Sequence, residues 1–204
     1  MRSELAKDLG SGCMRTPEVR FNPKGATEVN VFFVGGIHGS GKSTLGRQLV
    51  GPLRADHVIA SDLIEYTPDS HDPTKKSVAN VVDNQVSLLR EFSLREQVRP
   101  NVVLDGHFCV LENAGHIVRI PLNVFREIDP IAMVLVEAEP TDVQARLRQR
   151  ESAYDLNLIK RLMFEEHSHA ESVSRELGVP LKVWRGGHRF RELVEFLQRA
   201  SRKG

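Results

Sequence analysis

The chain has 204 residues, 40% of them hydrophobic and 27% charged, and its 28 basic and 27 acidic side chains leave a net charge of +1. That length can bury the core of one α/β domain, and so even a charge balance supplies no drive to wrap nucleic acid or coat an anionic membrane. No apolar run approaches a membrane span, the N-terminal stretch lacks an apolar signal core, and only Cys13 and Cys109 could pair, so a soluble cytoplasmic protein without a disulfide framework is expected.

In chain order, residues 1–28 are polar and punctuated by Gly10, Gly12, Pro17, Pro23 and Gly25, and read as a loosely packed leader. Residues 29–35 (VNVFFVG) predict a buried strand and residues 43–53 a helix. A second strand follows at 56–61 (DHVIAS), a helix at 78–98, and a third strand at 101–108 (NVVLDGHF). The strand at 131–138 (IAMVLVEA) precedes helices at 142–150 and 156–177; a weaker strand at 180–185 and a helix at 190–200 end the pattern. Apolar strands separated by helices imply parallel strands covered on both faces, hence a doubly wound α/β sheet in one domain over 29–204.

Between the first strand and its helix, residues 36–43 (GIHGSGKS) satisfy GxxxxGK[ST]. Amides around Gly36, Gly39 and Gly41 can turn inward as an anion nest at a helix N-terminus, with His38 and Ser40 at variable positions. Lys42 then bridges outer phosphates and the Ser43 hydroxyl ligates Mg²⁺. Asp105 closes the third strand, where a carboxylate faces the ligand crevice and can hold a water of the Mg²⁺ shell; alternatively it opens a turn with Gly106. Ser61 and Asp62 close the second strand, either as a helix N-cap or with Asp62 taking the proton of an attacking hydroxyl. Arg146 and Arg150 stand one helical turn apart, as a phosphate or base clamp or as a solvated face. Lys75 and Lys76 offer either an acceptor-phosphate contact or two solvated charges. His167 and His169 diverge on a helix, so no zinc site is expected, and Cys109 reads as core.

The order GIHGSGKS, SDL, VVLDGHF, VLVEAEPTDVQARLRQRE resembles the P-loop nucleoside monophosphate kinases, and is most similar to the archaeal-type adenylate kinase branch. LDGHF, with Asp105 and His107, stands for that branch's DxH segment, EAEP at 137–140 for its strand end, and RIPLNVF at 119–125 weakly for its Gly-Leu-Pro-like element. The resemblance covers about residues 29–200 and implies a three-layer α/β/α sandwich with a five-stranded, mainly parallel sheet, an acceptor-binding insertion near 62–98 and a short lid near 146–160. It implies that residues 36–44, through Thr44, hold the phosphates of ATP, that Asp105 assists Mg²⁺, and that Arg146 and Arg150 open the lid. The loop 185–188 (RGGH), with Gly187, falls where such kinases present backbone to the donor base. The lid sequence QRESAYDLNLIKR and the absence of Arg after DGHF depart from the branch. The implied activity is ATP- and Mg²⁺-dependent transfer of the γ-phosphate to a small acceptor, with a nucleotide leading. A sugar, nucleotide-sugar or polynucleotide end as acceptor, and an ATP-binding regulatory subunit, stay open.

Overall fold

The computed structural model describes residues 29–60, 100–111, 115–149, 154–187 and 189–201. Among these, in chain order, lie β1 (Asn30–Gly35), α1 (Lys42–Leu53), β2 (Ala55–Ile59), β3 (Asn101–Asp105), β4 (Cys109–Leu111), β5 (Ile117–Arg119), α2 (Leu122–Ile128), β6 (Pro130–Val136), α3 (Pro140–Arg148), α4 (Leu156–Leu177), β7 (Leu181–Trp184) and α5 (Phe190–Ser201). Five strands form one sheet in the order β2-β3-β1-β6-β7, and every neighbouring pair is parallel.

Alternation along β1 explains the three layers. Val31 and Phe33 point to one face, where Leu104, Met133 and Leu135 meet Val124 and Phe125 of α2 and Ala170 and Val173 of α4. Phe32 and Val34 point to the other, against Leu45 and Leu49 of α1 and Leu193 and Leu197 of α5. Because both faces are covered, the strand sequence is apolar throughout rather than alternating with polar residues. A smaller cluster joins Ile37, Cys109, Val143, Leu147, Ile159 and Leu162, packing the loop after β1 onto α3, β4 and α4. No helix among the described residues is long and apolar enough to cross a membrane.

The helix expected at 156–177 spans those residues. Asp155 caps it by accepting from the Asn157 amide at 2.6 Å, and Gly178 at φ 67° ends it. The helix expected from 142 begins two residues earlier, at Pro140, whose fixed φ suits a first helical position. The run 101–108 is not one strand. It stops at Asp105, and after Gly106, His107 and Phe108 a second strand begins that pairs antiparallel with β5, a hairpin too short to show periodicity. The expected helix at 78–98 and the leader lie outside the described residues.

Gly46 shows how tightly α1 lies on the sheet, since a Cβ there would sit 2.3 Å from His57 Nε2 of β2. Gly46→Ala gains helix propensity but must displace a ring that stands 3.9 Å from Asp105 Oδ2. The expected result is a net loss of about 1 to 2 kcal/mol, read by thermal unfolding; an unchanged or raised Tm would show that the ring yields freely.

Candidate functional site

The central strand β1 delivers the glycine-rich loop to the C-terminal edge of the sheet, between β3 and β6, where open α/β folds place ligands. Gly36 has φ 146°, and a Cβ there would lie 2.5 Å from the Val136 carbonyl; Gly41, at φ 106°, turns directly into α1. Both positions require glycine, and the curled backbone they allow is what an anion nest needs. The buried Ser40 hydroxyl finds no hydrogen-bond partner among the described residues.

Lys42 is only 6% exposed, yet it opens α1. Its ammonium donates to the Ile37 carbonyl at 3.1 Å and stands 3.2 Å from His107 Nε2. Burial, then the Lys42 charge, then His38 hold His107 well below the ordinary histidine range. The imidazole is therefore neutral, and its Nε2 lone pair accepts from Lys42. The His38 ring, exposed at the loop tip, lies 4.3 Å from that of His107.

Register brings the carboxylate in. Val34 pairs with Asp105 across β1 and β3, so the strand end stands beside the loop, and the Ser43 hydroxyl donates to Asp105 Oδ2 at 2.6 Å. Two oxygens on one spot suit a hard divalent cation that completes its shell with water and phosphate. Among the described residues no group of three or more His, Cys, Asp or Glu side chains could hold a metal by itself.

A cavity of about 730 Å³ runs from the loop to the turn after β7; His38, Ser43, Thr44, Arg146, Trp184 and Gly187 are among its lining residues. Arg146, exposed on α3, donates to the Gly39 carbonyl at 2.9 Å and so closes over the loop.

Residues 35–161, well over half of the chain, match the family described as AAA domain. The chain belongs to this AAA-domain family. An adenylate kinase from Pyrococcus abyssi (strain GE5 / Orsay) is 24% identical over 166 residues, which cover 69% of this chain and 82% of that protein. Two solved structures share the fold. Shikimate kinase from Acinetobacter baumannii, in complex with shikimate, has a TM-score of 0.55 at 15% identity, covering 87% of this chain and 95% of that one. A gluconokinase from Sinorhizobium meliloti 1021 has a TM-score of 0.52 at 15% identity, covering 87% and 94%. The fold is the three-layer α/β/α sandwich with a five-stranded parallel sheet that the sequence resemblance implied, and these two structures share it.

Within this AAA-domain chain the fold gathers residues 36–44, Asp105, Arg146 and Gly187 around one crevice. Asp62, Arg150, His188 and the lysines at 75 and 76 lie outside the described residues. Glu166, on α4, escaped sequence reasoning. Its carboxylate is 1% exposed and accepts from the Phe108 amide at 2.9 Å and the Cys109 amide at 2.5 Å. Burial pushes Glu166 up to about 7 against those amide bonds and the Lys42 charge. A signal existed: with Leu162, Ala170 and Val173 it forms the inward stripe of α4, where a charge has no solvent. The Cys109 thiol is pushed up to about 12, first by burial and then by Glu166, which makes it inert core.

Proposed function

We propose that this chain is an ATP- and Mg²⁺-dependent phosphotransferase that moves the γ-phosphate of ATP to a small acceptor, with a nucleotide the leading candidate. The observation that carries it is the 2.6 Å contact between Ser43 and Asp105 beside the buried Lys42, at the floor of a cavity large enough for a nucleotide. The residues fit the group: Ser43 would ligate Mg²⁺, Asp105 would hold its water shell, and the buried Ser40 hydroxyl, without a hydrogen-bond partner among the described residues, lies beside Gly36 of the nest. Mg²⁺, when bound, supplies charge neutralisation at the outer phosphates.

The chain's own side chains do the rest. Lys42 offers the positive charge for the outer phosphates, the loop amides bind and orient them, and Arg146 closes from α3 to exclude water. Asp62, just past β2, is the proposed proton acceptor for a hydroxyl nucleophile. Arg150 is proposed as a second lid cation for the phosphates or the base. Gly187 is proposed to present backbone to the donor base.

A hydroxyl acceptor is the second reading, supported by the fold likeness to a shikimate kinase and a gluconokinase. The deciding experiment incubates the chain with γ-labelled ATP, Mg²⁺ and a panel of nucleoside monophosphates, nucleosides, shikimate, gluconate and oligonucleotide ends. Label in one acceptor is the expected result, and the acceptor separates the two readings. Label released only as free phosphate would overturn both in favour of an ATP-hydrolysing regulatory subunit.

A further inference from the structure

The two ends of the cavity are held by different devices. The phosphate end is a glycine-rich nest fixed by its own backbone, whereas the far end is the turn 185–187, where Gly186 and Gly187 stand at φ 80° and 84° and carry no side chain to pack. The position of that turn is set where it leaves β7. There Glu137, just past β6, is tied to it twice: its amide donates to the Trp184 carbonyl at 2.8 Å, and its Oε2 meets the Arg185 guanidinium at 2.8 Å. Glu137 and Arg185 both line the cavity.

Behind Glu137, away from the cavity, stands His167 of α4. Its Nδ1 is 2.5 Å from Glu137 Oε1, and its Nε2 is 3.3 Å from Glu171 Oε1. The Glu137 carboxylate is therefore used on both oxygens, one by Arg185 from the turn and one by His167 from the long helix. We propose that His167 is a positioning residue for the donor nucleotide: by fixing Glu137 it fixes Arg185, and with Arg185 the base-side wall of the cavity. The inference rests on reading this cavity as the donor site. The Glu137 hydrogen bond, opposed by burial and aided by the charges of Glu137 and Glu171, holds His167 above the ordinary histidine range, so the ring keeps a proton for Glu137. Among the described residues His167 is not one that lines the cavity but bonds to one that does, so its effect passes through Glu137.

Trp184 is the chain's one tryptophan and lines the cavity, so its fluorescence reports occupancy without turnover. The full chain is titrated with Mg-ATP by this fluorescence and by calorimetry, and with inorganic tripolyphosphate, which engages only the phosphate end, by calorimetry. His167→Ala is expected to raise the Kd for ATP about five-fold and leave that for tripolyphosphate unchanged. His167→Gln keeps a side-chain N–H for Glu137 and is expected to recover most of the loss, which also separates positioning from a folding defect. His167→Ala added to Arg185→Ala should weaken ATP binding no further than Arg185→Ala alone. Wild-type ATP affinity in His167→Ala, equal losses for both ligands, or additive losses would overturn the proposal. A wild-type chain that binds no ATP would overturn the donor-site reading with it.

Discussion

Lys42→Ala is expected to lower label transfer from γ-labelled ATP by at least about a hundredfold, because the substitution removes the one buried positive charge at the start of α1 from a reaction whose catalysis is positioning and charge stabilisation. The loss should fall on turnover while the fold stays intact. Alanine is favourable in α1, but the substitution takes the ammonium from the Ile37 carbonyl and His107 Nε2, so the loss counts as catalytic only where circular dichroism and Tm of the variant match wild type. Lys42→Arg should not rescue, since a planar guanidinium cannot occupy the compact space between those two acceptors. A second readout is independent of turnover. The Lys42 charge is the largest cause after burial that holds His107 down, so the variant should raise the His107 titration, measurable by NMR of its ring protons. Turnover above a tenth of wild type would refute the role; an unmoved His107 would refute the contact.

The residues that were legible in the sequence are those whose work is local. The loop at 36–43 declares itself because the nest is built from consecutive backbone and needs glycine where φ is positive, as at Gly36 and Gly41. Asp105 was legible because a strand end in a parallel sheet faces the crevice whatever the rest of the chain does. Arg146 was legible by helical spacing, but its bond to the Gly39 carbonyl depends on how α3 packs on the loop, which no spacing encodes. The β4–β5 hairpin was not legible, since three residues a side carry no period and Phe108 between β3 and β4 turns into the core against Phe33. Glu137 and His167 are separated by thirty positions in sequence and meet only because α4 packs on the sheet face that carries Met133 and Leu135 of β6. The pairing is a product of topology. The sequence had offered His167 only as half of a poor metal pair with His169, whose Nε2 instead lies 2.7 Å from the Ile120 carbonyl.

Glu166 carries the largest expected effect on stability. Glu166→Ala removes the acceptor of two buried backbone amides, those of Phe108 and Cys109, and opens a cavity under β4. The expected cost is about 3 to 5 kcal/mol, a fall in Tm on the order of 10 °C for a chain of this size. Glu166→Gln should lose less, because one carbonyl oxygen still accepts one amide while its NH₂ faces the other donor. The pH dependence tests the same carboxylate separately. Its folded value of about 7 lies above the ordinary 4.5, so between those values the folded chain retains a proton that the unfolded chain has released. The residue's contribution is therefore fully present below about 4.5 and diminishes as pH rises to about 7, by about 3 kcal/mol in all. His167, also raised, slopes the same way, whereas His107 and His169, both lowered, slope oppositely, so the informative quantity is wild type minus Glu166→Gln at each pH. That difference should shrink steadily from pH 5 to pH 7 in denaturant titrations. Parallel curves would mean that the carboxylate is ionised throughout, with the amides of Phe108 and Cys109 outweighing burial. Either way the anchor matters for chemistry, because those two amides directly follow His107, and the turn they fix is what holds His107 Nε2 within 3.2 Å of Lys42.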